Sequence, residues 1–206
     1  MKHLRQYIKQ ILLTEAAKSW DSFPEDVVIV IEGLDWEAWI YYAVVDSATG
    51  EAHHITSRDR INDEYGEKIY GKIVLERSED NGPCDGAMKV AVSRAAEGWG
   101  PLLYDVAIEH ATINANGLMP DRFVVSSEAT NVWNYYLKNR KDVVSQQLDN
   151  LQNDLTDIEK DNCDQGVAEE DGPSDDYWHT SSLSKRYTKE PTTINKLKAM
   201  GKLVTI

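Results

Sequence analysis

The apolar residues of this chain change their spacing several times, and each change predicts an element. Between residues 3 and 18, Leu4, Ile8, Ile11 and Leu12 follow the i, i+4, i+7, i+8 rhythm of one helical face. This predicts an amphipathic helix docked on the core, with a detachable targeting helix as the alternative. After Pro24, the stretch DVVIVIEGLDWEAWIYYAVVDSATGEAHHI is dense in β-branched and aromatic residues. It predicts two or three strands, with DSATGE as a turn. A polar loop, RDRINDEYGE, precedes the strand KIYGKIVLERS. The turn EDNGPCDG then leads into AMKVAVSRA, where Val90 and Val92 alternate with Lys89 and Ala91. That alternation predicts a strand with one face more buried than the other.

From Pro101 the period becomes helical, with Leu102, Leu103, Val106, Ala107 and Ile113 spread along a face and Gly117 placed to end the helix. LMPDRFVV reads as a short strand or extended segment. Ser126 or Ser127 caps a second helix, SEATNVWNYYLKNRKDV, with Ala129, Val132, Trp133 and Tyr136 on one face. Past Leu148 the composition turns to Asp, Asn and Gln, and residues 149–182 read as a loosely ordered acidic linker. PTTINKLKAMGKLVTI predicts a short helix with an extended end. The expected division is residues 1–20 as an amphipathic helix, 21–148 as the main domain, and 149–206 as linker and tail.

Composition narrows the function. A chain of 206 residues supports one domain with a full core. The net charge of −13 argues against a protein that neutralises a nucleic-acid backbone, so nucleic acid is an unlikely partner. From Asp149 to Asp176 there are eleven acidic residues and one lysine, whereas Lys185 to Lys202 carries six basic residues and one glutamate. No apolar run approaches the roughly 18 residues of a membrane span, and the amino terminus lacks a signal-peptide pattern. The two cysteines, Cys84 and Cys163, form no CxxC motif. They predict free thiols and a cytoplasmic setting. No Cys/His cluster points to a metal.

The segment with chemical content is AAEGWGPLLYDVAIEHA, residues 95–111. Strand, glycine turn and helix is an arrangement that binds phosphate: unpartnered N–H groups face outward at the helix start, and glycines permit close approach. The spacing is neither GxGxxG nor GxxxxGK[ST]. The stretch VSRAAEGWGPLLYDVAIEHATINANGLMPDRFVVSSEATNVWNYYLKNR nevertheless resembles the core of the GNAT superfamily of acyl-CoA-dependent N-acyltransferases. It is most similar to a divergent group common in bacteriophage genomes, over roughly residues 84–142.

The resemblance implies an α/β fold with a GNAT-like mixed, mostly antiparallel sheet flanked by helices. It implies transfer of an acyl group, most simply acetyl, from acetyl-CoA or another acyl-CoA to an amine on a small molecule or a basic protein. The strand carrying Val90 and Val92 would splay from its neighbour and bind the pantetheine arm. The amides of Glu97, Gly98, Trp99 and Gly100 would hold the diphosphate, and Ser126 stands where a cofactor-contacting asparagine is common. Three departures stand out. Arg94 lies one residue before the first motif position, which is Ala95. Pro101 removes an amide donor, and Trp133 replaces the tyrosine that reprotonates the departing thiolate. Tyr136, one turn on, is the substitute candidate, with Tyr135 if the register slips. Glu76 is the candidate base, and Ser93 the residue to position a water. The runner-up is a non-catalytic phage virion or host-interaction protein on the same scaffold, joining an assembly through residues 1–18, in the virion or host cytoplasm.

Other patterns carry less. HIT at 54–56 and HAT at 110–112 suggest a two-histidine phosphoesterase, which would need His54 and His110 on paired strands. Asp121 and Arg122 read as an anchoring or a structural ion pair. Trp36, Trp39, Tyr41 and Tyr42 read as sheet-packing residues.

Overall fold

The computed structural model describes residues 23–34, 36–46, 48–54, 70–77, 82–150, 154–164 and 175–206. The predicted helix over 3–18 and the polar loop RDRINDEYGE lie outside these residues. The first strand, β1 (Val27–Gly33), is apolar at consecutive positions because both its faces are covered. Val27, Ile29 and Ile31 join the main core, while Val28 and Val30 join a second cluster with Tyr41 and Ala43. An antiparallel hairpin links it to β2 (Glu37–Val45), from Val27↔Val44 to Gly33↔Ala38. Beyond β2 lie β4 (Gly71–Arg77) and β5 (Met88–Ala95), each antiparallel to its neighbour. A short β3 (Ala52–His54) takes over from β4 at the end of β2.

The helix α1 (Gly100–Asn114) leaves the end of β5 and returns the chain to β6 (Leu118–Met119), parallel to β5. It is buried almost all round, with Tyr104, Ile108 and Glu109 joining the expected apolar residues inside, while Ile113 faces out. At its end Gly117 sits at φ +96°, where an added Cβ would meet the Tyr187 carbonyl oxygen at 2.7 Å. Only glycine fits such a turn. The second helix, α2 (Ser127–Asn139), is capped by Ser126 Oγ, which accepts the Ala129 N–H at 3.2 Å.

After α2 the sequence expectation fails. The helix ends at Asn139, and β7 (Val143–Gln147) and β8 (Lys185–Lys189) extend the sheet as an antiparallel pair. They enclose the short helix α3 (Asp175–Thr180). A last helix, α4 (Thr192–Ala199), leads into β9 (Leu203–Thr205), which pairs in parallel with β1 at the opposite edge. The sheet order is β7-β8-β6-β5-β4-β2-β1-β9, antiparallel except for β5 with β6 and β1 with β9. This is a mixed, mostly antiparallel α/β architecture flanked by helices, compatible with a GNAT-like fold. Residues 149–206 are not simply a linker and tail: they supply β8, α4 and β9 and put Cys163, Leu183, Tyr187, Ile194 and Leu197 into the core.

Buried charges fasten this segment. Glu109 on α1 accepts the N–H groups of Thr193 (2.8 Å) and Ile194 (2.7 Å), capping α4, and pairs with buried Lys189. Arg122 is fully buried and donates to the carbonyls of Leu183 (3.0 Å), Cys163 and Asp164 (both 3.4 Å). It forms no pair with Asp121, whose carboxylate instead accepts the N–H groups of Phe123 and Val124. Cys84 and Cys163 form a buried disulfide, Cα atoms 4.8 Å apart, across 79 residues of sequence. The expected free thiols are therefore corrected, and the cytoplasmic reading loses that premise. Sequence separation says nothing of distance once strands from both ends share a sheet. No helix among the described residues is long and apolar enough to cross a membrane.

Candidate functional site: a cleft beside a bulged strand and two helix starts

The ladder between β5 and β6 consists of Met88↔Leu118 and Lys89↔Met119 and then stops. Beyond it β5 runs on for six residues, paired with β4 alone. One residue later the strand changes phase. Val74 pairs with Val92 and Leu75 with Val90, so Ala91 is an extra residue, a β-bulge. The bulge reverses which side chains face α1. Val90 is 7% exposed in the core, whereas Val92 is 41% exposed on the other face. Ser93, paired with core residue Ile73, then faces α1. The alternation expected from the sequence places Val90 and Val92 together; the bulge separates them.

Above this stretch lies a cleft of about 420 Å³. It is lined by Lys72 and Ile73 of β4, by Ser93, Arg94 and Ala95 of β5, and by Gly100, Leu103 and Tyr104 of α1. Ser126, Glu128, Ala129 and Val132 of α2 complete it. The starts of two helices thus border one space, and first-turn N–H groups carry partial positive charge. Lys72 and Arg94 are cross-strand neighbours that alternate with Ile73 and Ser93, and the Lys72 ammonium lies over the Trp39 ring at 4.9 Å on the other face of the sheet. Glu128 is exposed, and its own backbone N–H with the Ser127 and Ser126 hydroxyls holds its carboxyl below the ordinary value. In the cleft, Tyr104 donates its hydroxyl to Ser93 Oγ at 3.0 Å.

The glycine turn is built from below. Phe23, Tyr42 and Tyr70 surround the Trp99 indole, with ring centroids 5.7, 5.0 and 4.1 Å away. Tyr42 donates to the Trp99 carbonyl at 2.8 Å. Gly98 adopts φ +82°, so its glycine is a backbone requirement. Gly100 is different: a Cβ there would meet only the Ala95 Cβ, at an ordinary 3.6 Å. Nothing in the protein's own packing demands a glycine at that point on the cleft wall.

Of the residues singled out in the sequence, Ser93, Gly100 and Ser126 line the cleft together. Glu97, Gly98 and Trp99 do not, and the Trp99 N–H is already donated to the Ala96 carbonyl at 3.0 Å. That removes it from the expected phosphate donors. Glu76 is also misplaced. It lies three residues past Ile73, about 10 Å along the strand, at an alternate position facing away from Ser93, and it pairs with Lys89 at 3.6 Å. Tyr136 is turned into the core, where it donates to Asp105 at 2.7 Å and Pro101 O at 3.2 Å. Burial above all, then the Asp105 charge, raises its phenol well above the ordinary value. Tyr135 is absent from the lining too, and Trp133 is buried, stacked on Tyr187 at 4.9 Å.

No protein-family model, curated protein or solved structure matches the chain. The cleft must speak for itself.

Tyr104 is the residue that sequence reasoning missed. Its neighbours in PLLYD are core leucines, and only the bulge at Ala91 brings a polar strand residue beneath it. The two-histidine pattern fails on geometry, because His110 is helical while His54 belongs to a strand. Among the described residues no group of His, Cys, Asp and Glu is arranged to hold a metal.

Proposed function

We propose that this cleft binds an acyl-CoA and that the protein is an N-acyltransferase, moving an acyl group, most simply acetyl, to an amine. The observation that carries the reading is the place of the cleft. It opens beside the part of β5 that follows the bulge, between the starts of α1 and α2, with Gly100 on its wall for no internal reason. The α1 N-terminus suits a diphosphate. The apolar floor of Ile73, Leu103 and Val132 suits an acyl-pantetheine arm. The amine attacks the thioester carbonyl carbon, the C–N bond forms, and the C–S bond breaks.

Thermal unfolding with a panel of acyl-CoAs tests this. Binding stabilises by about 2.7 kcal/mol at a hundredfold excess over the dissociation constant. Gly100→Asp fits the backbone yet places bulk and negative charge in the cleft, so it should abolish the shift while leaving the unliganded melting temperature near that of the parent. No shift with any acyl-CoA overturns the reading.

A second reading keeps the scaffold without turnover, as a phage virion or host-interaction protein. Its support is that Glu76, Tyr136 and Trp133 do not meet in the cleft. It expects acyl-CoA to leave the protein unstabilised, and co-purification with a large assembly that deletion of residues 1–18 abolishes.

A further inference from the structure

Away from the cleft, the acidic segment after β7 folds back on its own start. Asp149 bridges in parallel to Asn162, and the Cys163 N–H donates to the Asp149 carbonyl at 3.1 Å. The segment is seated on the turn before β5: Asn162 O accepts the Cys84 N–H at 3.3 Å, Lys160 O accepts that of Asp85, and the disulfide joins Cys163 to Cys84. Three carboxyl groups are thereby brought near one another. Burial first, then the Asp149 and Asp85 charges, raise the Asp161 carboxyl above its ordinary value. Of the three, Asp85 has a counter-charge, Arg186 at 2.8 Å, and also the Asn116 amide at 2.7 Å. Asp149, 4% exposed, accepts the Leu155 N–H at 2.7 Å, and Asp161, 1% exposed, accepts the Thr156 hydroxyl at 2.9 Å through Oδ2. No salt bridge among the described residues reaches either of them. Asp161 Oδ1 is buried without a hydrogen-bond partner among the described residues, and so is the side-chain oxygen of its neighbour Asn162. Both orphans are acceptors, so the missing partner is electropositive. A buried carboxylate without a counter-charge is costly, and folded proteins meet that cost by pairing it or by coordinating a metal.

We propose that Asp161 Oδ1, Asn162 Oδ1 and the Asp149 carboxylate bind a calcium-type divalent cation, which fastens the acidic segment to the turn at Cys84–Gly86. An all-oxygen donor set selects a hard cation over zinc, iron or copper. Calcium accepts irregular geometry and water as ligands, whereas magnesium demands a near-ideal octahedron. The set is two carboxylates and an amide, completed by water. It therefore differs from a grouping of three His, Cys, Asp or Glu side chains, which does not occur among the described residues. So few charged ligands make a weak site, with a dissociation constant of about 0.1–1 mM. The site lies outside the cleft lining and is independent of the acyltransferase reading.

The test uses full-length protein stripped with a chelator, at constant ionic strength, with calcium chloride followed by calorimetry and thermal unfolding. Calcium at about 10 mM should raise the melting temperature by about 3–6 °C, with one ion bound, and magnesium should do less. Asp161→Asn keeps the side-chain shape and an acceptor for Thr156 while removing the carboxylate, so it should weaken calcium binding about tenfold or more. Asp157→Asn, at an exposed aspartate of the same segment, should change it less than about twofold. Should Asp161→Asn fail to fold, Asn162→Ala decides, with a loss of at least about threefold expected. Wild-type protein that calcium neither binds nor stabilises overturns the proposal, and a proton on Asp161 then takes the place of the cation. Calcium binding that is equally strong in Asp161→Asn, or in Asn162→Ala where that variant decides, also overturns it, as ions held by the acidic surface at large.

Discussion

Two regions of this molecule use polar groups in opposite ways. In the carboxy-terminal half, charges are buried and spent on backbone and on one another. Arg122 meets three carbonyls, Glu109 caps α4 and pairs with Lys189, and Arg186 joins Asp85 at 2.8 Å and the Asn116 carbonyl at 2.7 Å. In the cleft between β5, α1 and α2, no charged lining residue is buried and the floor holds one hydroxyl pair. A fully satisfied buried charge is a fastening. A polar group with capacity to spare beside open space is where a ligand gains something. By that criterion Arg122, whose PDR motif offered an anion anchor in the sequence, belongs with the fastenings.

The contrast is sharpest in what substitutions cost. Arg122→Met strips three carbonyls of a donor, and Glu109→Gln leaves the buried Lys189 charge with only the more distant Asp142 carboxylate, 3.8 Å away. Each should destabilise the fold by about 3–5 kcal/mol, read as a fall in the denaturant midpoint. A loss below 1 kcal/mol would move that residue out of the fastening class. Ser93→Ala in the cleft should cost about 1 kcal/mol or less, because a part-buried hydrogen bond is lost where water can replace it. A cost as large as that of Arg122 would make the hydroxyl pair structural.

A pH-dependent effect concerns Lys185. Its ammonium lies among the Gln147 side chain and the carbonyls of Trp178 and His179, and burial depresses its pKa to about 8. In the unfolded chain it retains the ordinary value of 10.5. Between these values the unfolded state binds more protons, so stability rises with pH from about 8 towards 10.5. Below the lower value the protein carries the full penalty of the buried charge. Lys185→Met should flatten the rise, measured as melting temperature between about pH 7.5 and 9.5. An unchanged slope would assign the rise elsewhere.

How much of this was legible in the sequence varies along the chain. The β1–β2 hairpin, the strand–turn–helix from β5 to α1, and the Ser126 cap were legible, because each rests on local propensity, period or capping chemistry. The strands of the carboxy-terminal half were not. KRYTK and VVSQQ carry no clean alternation, since β8 is buried at Lys185, Arg186 and Lys189 through partners supplied by other elements. An acidic, Asn-rich stretch likewise reads as unstructured until its carbonyls are seen to meet Arg122 and its cysteine to meet Cys84. Within the cleft, Gly100 and Ser126 were legible from the turn and cap they occupy, while Tyr104 was hidden in a run of core residues.

The sequence by itself determined a mixed α/β domain with a glycine turn entering a helix, because hydrophobic period and turn chemistry are local properties. Only the tertiary structure decided where the cleft lies and which side chains share it. One extra residue at Ala91 reverses the facing of everything after it in β5, taking Val92 out and bringing Ser93 beneath Tyr104. A bulge is defined by its partner strand, and no pattern within nine residues of one chain segment records it.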